Sequence, residues 1–490
     1  MDIVDRGATR NSTADAIETT QRDDSLSVGT GARYSPITVG EADRSSTIAI
    51  QEEYPRLANG HRGVGRRSSI VVWKFGGTSV ADPARLRAAA ERIVVAQRDG
   101  LKVVAVLSAM GRSTDDLISM AYTMSERPLL RELDVLLSVG ECISCALASM
   151  AVNDLGSHAV SLTGPQAGIH TDGQHGNAQL AELYPRRILD ALDTGAAVLV
   201  TGYQGISPAG DVTTLGRGGS DTSAVALAAA LGLSECDIFT DVSGVFTADP
   251  RLVPDARKLT AVSRETMLQF AAAGAAVLQP RSVELAAAHD VDIHVRSSFT
   301  TDVGTWILEE EPVFETSVVT GVAHRERETL FAVRGVSPAA ITAALAHRSV
   351  AIGTIGRDGQ CLRFTAPDSE DAAVVAALSL AGIGVDVHNE FGSVSLVSAG
   401  IARRPDVTAE AMLALECHGI EPQMVTSAPS RVCFLIRTDT VHHAVRLLHD
   451  LFGLQDGQYA TPTGDRDIYA SRTGAEARRE FESCTQQHHR

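Results

Sequence analysis

Short apolar runs alternate with segments of helical periodicity between residues 70 and about 300. Asp82, Pro83 and Gly100 flank one such segment, and they supply an N-cap, a first-turn proline and a C-terminal glycine for a helix. Continuous apolar strands separated by helices predict a parallel or mixed sheet that helices cover on both faces. The predicted strands are Ile70–Lys74, Lys102–Ser108, Ala196–Thr201 and Glu235–Thr240.

A weak internal repeat of about 70 residues follows a polar linker near residues 303–316. The first unit is predicted to contain a strand at Leu330–Gly335, a helix at Pro338–His347, strands at Val350–Ile355 and Cys361–Ala366, and a helix at Ser369–Leu380. The second is predicted to contain a strand at Ser393–Ala399, a helix at Pro405–His418, strands at Glu421–Thr426 and Arg431–Ile436, and a helix at Asp439–Leu451. This βαββα order predicts two small ferredoxin-like modules.

Polar composition separates both ends of the chain from these segments. Residues 1–68 are rich in Ser, Thr, Asp, Arg and Gly, and they carry too little apolar surface to offset their ordering entropy. We therefore predict a disordered N-terminal extension and, at 457–490, a polar C-terminal tail. Between them we predict an α/β domain at 69–302 and two modules at 316–385 and 390–456.

Composition narrows the functional class of this 490-residue chain. A formal charge of −17 argues against a nucleic-acid surface, which needs a basic face. Seven cysteines favour a reducing compartment without a disulfide framework, and the pair Cys142-Ile-Ser-Cys145 lacks the second pair that a zinc site needs. We therefore expect buried thiols there. The absence of a long apolar run and of a signal-peptide core predicts a cytoplasmic protein that is neither membrane-bound nor secreted.

Two glycine-rich turns carry the chemistry. Ile70-Val-Val-Trp-Lys-Phe-Gly-Gly-Thr-Ser79 is a strand that ends on a lysine and a Gly-Gly turn, and Thr214-Leu-Gly-Arg-Gly-Gly-Ser-Asp-Thr-Ser223 leads into an alanine-rich helix. Both shapes direct backbone N–H groups and a cation at an anion. The pair predicts a site for phosphates and a carboxylate, hence phosphoryl transfer. The chain lacks the glycine fingerprints of Rossmann dehydrogenases and of P-loop enzymes.

Several motifs, in order and in register over residues 70–455, resemble those of the aspartate kinase family. They are Lys74-Phe-Gly-Gly-Thr-Ser79, Ser108-Ala-Met-Gly111, Gly140-Glu141, Thr213–Ser223 and Thr240-Asp-Val-Ser-Gly-Val-Phe-Thr-Ala-Asp-Pro-Arg251. The resemblance implies an amino-acid-kinase αβα sandwich followed by two ferredoxin-like ACT domains. It also implies the reaction of L-aspartate with ATP and Mg²⁺ to give 4-phospho-L-aspartate and ADP, and a homo-oligomer formed through the ACT domains.

The resemblance implies a role for individual residues of these motifs in this sequence. Lys74 and Asp221 are expected to be catalytic, with Lys74 beside the transferring phosphoryl group. The residues expected to bind the substrate are Ser108, Thr114, Glu141 and Arg217. Glu141 is expected to bind the ammonium group of aspartate, and the guanidinium of Arg217 is expected to bind its α-carboxylate. The ATP-binding set is Lys74, Gly76, Gly77, Thr240, Asp241, Phe246 and Arg251. No dedicated carboxylate cage is evident, so Mg²⁺ is expected to be held by the phosphates.

This chain departs from the family pattern near the phosphate site. Ala276 stands where the family usually has a lysine, Phe246 where it has tyrosine, and Gln279 where histidine is frequent. Glu141-Cys142-Ile-Ser-Cys145 replaces the usual Glu-Arg-Ile-Ser-Asn. These changes leave two alternatives open: a catalytically weakened paralogue or regulatory partner, and a kinase for a related amino-acid carboxylate.

Departures in the repeat concern regulation. Gly335-Val-Ser-Pro-Ala339 replaces an acidic-Pro-Gly turn, and Val350-Ala-Ile-Gly-Thr-Ile-Gly356 lacks polar positions that grip an amino acid. The second module has Arg404-Pro-Asp406 and Ser427-Ala-Pro-Ser430 where Pro-Gly and an acidic residue are common. We therefore predict weak feedback inhibition by lysine or threonine.

Overall fold

The strand that carries Lys74 as its penultimate residue lies at the centre of the first sheet. The computed structural model describes residues 69–275, 277–310, 319–346, 352–353 and 355–455. The elements up to residue 308 are β1 (Ile70–Phe75), the 3₁₀ turn η1 (Gly77–Val80), α1 (Pro83–Arg98), β2 (Lys102–Leu107), α2 (Ser113–Met124), α3 (Leu130–Asp154), β3 (Ala159–Leu162), β4 (Ile169–Thr171), β5 (Leu180–Leu183), α4 (Arg186–Asp193), β6 (Ala197–Thr201), β7 (Gln204–Ile206), β8 (Val212–Thr214), α5 (Gly219–Ala230), β9 (Glu235–Thr240), β10 (Ala261–Ser263), α6 (Arg264–Ala272), α7 (Pro280–Ala288), β11 (Asp292–Ser297) and β12 (Thr305–Leu308).

The main sheet has the strand order β10-β12-β11-β9-β1-β2-β6-β3. Its neighbouring strands are parallel except for β11 and β12. One face packs through Ile238 and Val295 on α5 and α7, and the other packs through Phe75 and Phe239 on α1 and α3. This αβα sandwich confirms the predicted fold class. The parallel order brings the carboxyl ends of β9, β1, β2 and β6 to one edge, where open α/β sheets bind ligands.

The helix α1 shows how local sequence sets these boundaries. The Asp82 side chain accepts a hydrogen bond of 2.9 Å from the amide of Arg85, and Pro83 occupies the first turn. Beyond the helix, Gly100 has a φ of +86°, a conformation that favours glycine. The predicted cap, proline and terminal glycine are all confirmed.

The second part of the chain forms one antiparallel sheet with the order β14-β15-β13-β16-β18-β17. Pairing of the two middle strands joins the modules side by side. The elements are β13 (Gly321–Arg334), α8 (Pro338–Ala346), β14 (Ile355–Asp358), β15 (Cys361–Pro367), the 3₁₀ turn η2 (Asp368–Glu370), α9 (Asp371–Leu380), β16 (Asp386–Val397), the 3₁₀ turn η3 (Ile401–Arg403), α10 (Pro405–Cys417), β17 (Met424–Ala428), β18 (Arg431–Arg437), the 3₁₀ turn η4 (Thr438–Thr440) and α11 (Val441–Leu451).

Four predicted strands in these modules are wrong at their ends. β13 and β16 begin earlier than expected because they pair with each other from Gly321 and Val397 onward, through a bulge at Arg325–Glu328. β17 begins three residues later than predicted, since Pro422 cannot donate to a strand and the hairpin to β18 closes after Ala428. β14 also lies later, next to its two-residue turn to β15. The rest of the predicted 350–355 strand, apart from residues 352–353, lies outside the described residues.

The chain after β9 links the two parts. Ala248 and Val253 belong to the apolar core of the second module. The Thr247 hydroxyl lies 3.0 Å from Nε2 of His449, which α11 buries completely. The same hydroxyl accepts a 2.9 Å hydrogen bond from the amide of Arg257. The segment is therefore held on the second module by apolar burial and by one buried polar group.

The described cysteines are mostly isolated. Free thiols are present at Cys142, Cys145, Cys236, Cys361 and Cys433. Cys417 is disulfide-bonded, and a single bonded residue is not a disulfide framework.

We predict that Thr247→Val destabilises the folded protein by about 1–3 kcal/mol, because it leaves a buried imidazole and a partly buried backbone amide without their shared partner. Urea denaturation of the full chain measures the change. Thr247→Ser keeps the hydroxyl and should stay close to the wild type. Equal stability of Thr247→Val and the wild type would contradict the proposed link.

Candidate active site

A buried ion pair lies at the carboxyl end of the central strand. Nζ of Lys74, the penultimate residue of β1, is 2.5 Å from Oδ1 of Asp221, and the two side chains are 11% and 9% exposed. Asp221 lies in the first turn of α5, where the positive end of the helix dipole favours a carboxylate. The structure therefore brings together the two residues expected to be catalytic, which are 147 positions apart in the sequence.

The Gly-Gly turn after β1 connects the neighbouring strands. The amide of Gly76 donates to the carbonyl oxygen of Phe239 at 3.0 Å, and the carbonyl of Gly77 accepts from the amide of Gly111 at 3.0 Å. A Cβ at Gly77 would lie 3.0 Å from the carbonyl oxygen of Ala109, which is tighter than most real contacts. The Gly76 amide is thus engaged by β9, which differs from the expectation that it faces a phosphate.

Glu141 is buried on α3 with only part of its hydrogen-bonding capacity used. Its side chain is 3% exposed, and Oε1 accepts a 3.1 Å hydrogen bond from the amide of Ala109. Oε2 has no hydrogen-bond partner among the described residues. Burial raises the pKa of this carboxyl from 4.5 to about 7, against the opposing effect of backbone hydrogen bonds. A buried carboxyl with one free oxygen suits a cationic ligand group.

Gly140 explains how Glu141 reaches that position. A Cβ on Gly140 would lie 2.8 Å from Cβ of Ala109, a distance that real side chains do not adopt. The glycine therefore lets α3 approach the chain that follows β2. Ser108 is half-buried at this point, and its amide donates to the carbonyl of Phe75 at 3.1 Å. Thr114 lies partly exposed in the first turn of α2.

Arg217 is exposed on the loop before α5. Its neighbours Gly216 and Gly218 have φ values of +75° and +69°, so this tight turn requires glycine on both sides. A Cβ on Gly218 would overlap the side chain of Gln279, which therefore packs directly on the turn. We find no ion pair to Arg217 within the described part of the chain. Its guanidinium is available to an anion.

Asp134 was not anticipated from the sequence. This fully buried carboxylate accepts hydrogen bonds from the Thr214 hydroxyl at 2.5 Å and from the amide of Gly176 at 3.1 Å, and it lies 2.7 Å from Nδ1 of His175. It stands two turns before Glu141 on the same face of α3. Asp134 therefore ties this helix to the strand that leads into the Arg217 loop. Two acids seven residues apart in an apolar helix were the available signal.

Tyr203 was also missed. It follows β6 with a φ of +70°, which is uncommon for a residue with a side chain and is typical of constrained functional positions. Its amide donates to the hydroxyl of Ser223 at 3.2 Å, and that hydroxyl donates to the carbonyl of Gly219. The tyrosine is thus fixed against the start of α5.

The residues expected to bind nucleotide follow β9. Thr240 donates from its hydroxyl to Asp241 at 3.2 Å. Phe246 forms a backbone bridge with Lys258, and the exposed Arg251 forms a 2.6 Å ion pair with Asp249. This loop starts beside the Gly-Gly turn, but nothing in its geometry tests nucleotide binding, so those assignments stay predictions. Ala276 lies outside the described residues.

The prediction of buried thiols on α3 is confirmed for Cys145, whereas Cys142 is only partly buried. Burial raises the pKa of the Cys142 and Cys145 thiols, which disfavours a reactive thiolate. Both line a cavity of about 100 Å³ next to β3 and β6. Among the residues that the structure describes, no cluster of three or more His, Cys, Asp or Glu side chains could hold a metal ion.

Comparison with known proteins agrees with this arrangement. The model of the amino acid kinase family matches residues 69–297, and an ACT domain model matches residues 394–452. The aspartokinase of Mycolicibacterium smegmatis is 44% identical over 409 residues, which cover 79% of this chain and 96% of that protein. The aspartokinase of Corynebacterium glutamicum is 43% identical, with 79% and 96% covered.

Solved structures give the same result for the fold. Aspartokinase III of E. coli in complex with aspartate and ADP, in its R-state, has a TM-score of 0.68 at 24% identity, covering 78% of this chain and 99% of that one. The same enzyme in complex with lysine and aspartate, in its T-state, has a TM-score of 0.62 at 25% identity, covering 78% and 99%.

We predict that the stability of the ligand-free protein falls relative to Glu141→Gln as the pH rises. The folded-state pKa of Glu141 is raised, so its contribution is fully present below 4.5 and is lost as the pH rises through about 7. A loss of a few kcal/mol is expected. Urea unfolding of both proteins between pH 5 and 8.5 measures it. Glu132→Gln, an exposed change on the same helix, should show no such trend. A constant difference for Glu141→Gln would disprove the raised pKa.

Proposed function

The chain belongs to the aspartokinase family and is an aspartate kinase, and we propose that it transfers the γ-phosphoryl group of ATP to the side-chain carboxylate of L-aspartate. The products are 4-phospho-L-aspartate and ADP. The observation that carries this proposal is the buried Lys74–Asp221 pair, which places a cation at the edge of the sheet between the two glycine turns. Glu141, buried on α3, and Arg217, exposed on the loop before α5, offer one anionic and one cationic group to an amino acid.

Substrate orientation follows from these two charges. The free Oε2 of Glu141 receives the ammonium of aspartate, and the planar fork of Arg217 receives its α-carboxylate. Ser108, which follows β2, and Thr114, at the start of α2, are the further candidate contacts of the substrate. Asp134 acts as a positioning residue, since its hydrogen bond to Thr214 fixes the approach to the Arg217 loop. The side-chain carboxylate of aspartate then faces Lys74.

Phosphoryl transfer to a carboxylate needs charge neutralisation more than a base. The attacking carboxylate is already ionised at neutral pH, whereas the triphosphate repels it. Lys74 neutralises the oxygens of the transferring group, and Asp221 holds the lysine side chain in place. Gly77 lets the backbone come close to the phosphates. Mg²⁺ would be held by the phosphates of ATP and would neutralise part of their charge.

The nucleotide is proposed to lie along the loop that follows β9. Thr240, Asp241, Phe246 and Arg251 are its candidate contacts, and Arg251 would exchange its ion pair with Asp249 for a phosphate. The retained Lys74, Asp221 and Arg217 oppose the alternative of an inactive paralogue. No observation within the described part of the chain favours another acceptor.

The reaction is tested by ADP release from Mg-ATP with L-aspartate, using hydroxylamine to trap the acyl phosphate as a hydroxamate. Lys74→Met should lower kcat by roughly 10²–10³-fold, because the cation acts on charge that develops in the transition state. Lys102→Met, an exposed lysine on the neighbouring strand β2, serves as the matched control. ADP release with a different amino acid, and none with aspartate, would reject the proposed acceptor.

We also propose that lysine and threonine inhibit this enzyme weakly. Arg404 forms a 2.7 Å ion pair with Asp406 and thereby lowers the pKa of that carboxyl. The ionised Asp406 at the start of α10 is therefore already paired with a cation of the chain, with which the ammonium of an effector would have to compete. The turn before β18 is occupied as well, because the buried Ser430 hydroxyl donates to Glu265 of α6. Both groups that an amino-acid effector would need are used within the chain.

Turnover should therefore change by less than about twofold when lysine and threonine are present together at 1 mM, a concentration at which a site with micromolar affinity is saturated. Initial rates at subsaturating aspartate measure this. Strong inhibition at that concentration would show that the second module binds an effector despite its altered turns.

A further inference from the structure

The Arg217 loop, residues 215–218, has little internal structure to hold its cation in place. Arg217 is exposed between Gly216 and Gly218, whose φ values are +75° and +69°. Glycine has the widest conformational freedom of any residue, so a turn with two glycines does not fix the side chain between them. A guanidinium that binds a carboxylate with two nitrogen atoms must be placed to within about 0.5 Å. The loop therefore needs support from outside.

The first turn of α7 contacts both this loop and the segment beside it. Nη1 of Arg281 donates to the carbonyl of Leu215 at 2.7 Å, and Nη2 donates to the carbonyl of Ala178 at 2.8 Å. Ala178 lies next to β8, because its amide donates to the carbonyl of Thr214 at 2.8 Å. One guanidinium thus joins the start of the Arg217 loop to the chain that lies against it.

Both of these carbonyl groups belong to residues that water does not reach. Leu215 and Ala178 are fully buried, and the amide of Leu215 already donates to the carbonyl of Tyr203 at 2.8 Å. A buried carbonyl that loses its donor is costly, because no water molecule replaces the hydrogen bond. Arg281 therefore favours the one arrangement of the loop in which both acceptors are satisfied.

Each glycine of the turn is also in contact with a side chain from outside the loop. A Cβ on Gly218 would lie 2.1 Å from Cγ of Gln279, which precedes α7. A Cβ on Gly216 would lie 2.6 Å from Oδ1 of Asn177. The backbone of the turn is thus held between the start of α7 on one side and the segment that ends at Ala178 on the other.

The helix that carries Arg281 is itself fixed in the core. Pro280 occupies its first turn, and Val283 and Ala286 are fully buried in the same apolar cluster as Val225 of α5. The loop leads directly into α5, so α7 packs on the helix that follows the loop and also holds the loop itself. A close-packed helix is a rigid support for the groups on its first turn.

The chemistry of Arg281 suits a contact with backbone carbonyls. Burial lowers the pKa of its guanidinium, and Asp172 and Glu284 oppose this only through their charge. An arginine stays protonated at neutral pH in spite of such a shift. Its planar fork presents two separate nitrogen atoms, one to each carbonyl. The ammonium of a lysine is a single atom and would have to reach both acceptors from one point.

We propose that Arg281 is a positioning residue, which holds the Arg217 loop in the arrangement that binds the α-carboxylate of the amino-acid substrate. The inference rests on the proposed role of Arg217. Without Arg281 the loop populates other arrangements, and the apparent affinity for the amino acid falls in proportion to the population of the competent one. The α-carboxylate does not react, so KM rises and kcat is retained.

Kinetics of ADP release and calorimetric titration with L-aspartate test this role. Arg281→Met should raise both KM and the dissociation constant for aspartate about tenfold, as expected if the competent loop is populated for roughly a tenth of the time. The values of kcat and of KM for ATP should change by less than about twofold. Arg281→Lys keeps the charge and should recover only part of the affinity. Full recovery would show that charge alone acts, and would overturn the proposal.

Arg264→Met separates positioning from general stability. Arg264 is the first residue of α6, and this buried side chain donates to Asp292 at 2.9 Å. Its loss should lower the free energy of unfolding in urea and leave KM for aspartate unchanged, because unfolded molecules reduce the number of active sites but do not alter those that remain. An Arg281→Met protein that also loses stability but keeps the wild-type KM would contradict the positioning role.

A double-mutant cycle tests whether Arg281 acts through Arg217. Arg217→Met alone should raise KM for aspartate by more than Arg281→Met does, because it removes the cation itself. In the Arg217→Met background, Arg281→Met should add less than about twofold, since no cation is left to position. Two independent, multiplicative increases would show that Arg281 affects substrate binding by another route, and would overturn the proposal.

The wild-type protein distinguishes a failure of this inference from a failure of the proposed function. If it phosphorylates another α-amino acid in place of aspartate, the proposed acceptor is wrong, and the same KM comparison applies to that amino acid through its α-carboxylate. A wild type that neither binds nor phosphorylates any α-amino acid would reject the proposed function and this inference together. Wild-type turnover with aspartate and an equal KM for Arg281→Met would reject the role of Arg281 alone.

Discussion

The ion pair between Lys74 and Asp221 is the interaction on which the site depends. Each partner is buried, and a buried charge that loses its partner costs about 3–5 kcal/mol. The pair therefore forces the end of β1 and the first turn of α5 into contact. That contact places the Arg217 loop, which leads into α5, near the end of β1, where the Gly-Gly turn begins. Because the ion pair is costly to break, the Lys74 ammonium stays at one point on the edge of the sheet where the phosphates of ATP are proposed to bind.

The helix α3 imposes the second constraint, because it serves two surfaces at once. Gly140 allows it to approach the end of β2 so closely that the Ala109 amide reaches Glu141. Asp134 fixes the same face to Thr214. A helix with so little freedom on its inner side also holds the exposed apolar residues of its outer face in a fixed orientation. The position of the Glu141 carboxylate and the exposure of the apolar residues on the outer face of α3 therefore follow from the same packing.

Much of this arrangement could be predicted from the sequence where a local signal was present. The strand-lysine-glycine motif located Lys74, and Asp82 with Pro83 located α1. Signals failed where distant pairing decides the outcome. The charged run Arg325–Glu328 resembles a loop, yet it lies inside β13 because β16 pairs on both sides of it. The only local signal for Asp134 is its spacing from Glu141 on an apolar helix, and its role could not be predicted because its partners are 41 to 80 positions away in the sequence.

The loop that is proposed to bind nucleotide gives the ACT modules a structural role that does not depend on an effector. The segment that carries Phe246 and Arg251 contributes Ala248 and Val253 to the core of the second module, and Thr247 contacts the buried His449. This segment cannot move without disturbing that core, because a close-packed core resists continuous deformation. The module therefore holds one wall of the proposed ATP site in a fixed place. Loss of an effector site would abolish inhibition by amino acids, but the contact between the loop and the second module would remain. The modules would therefore still stabilise the loop in a chain that does not respond to amino acids.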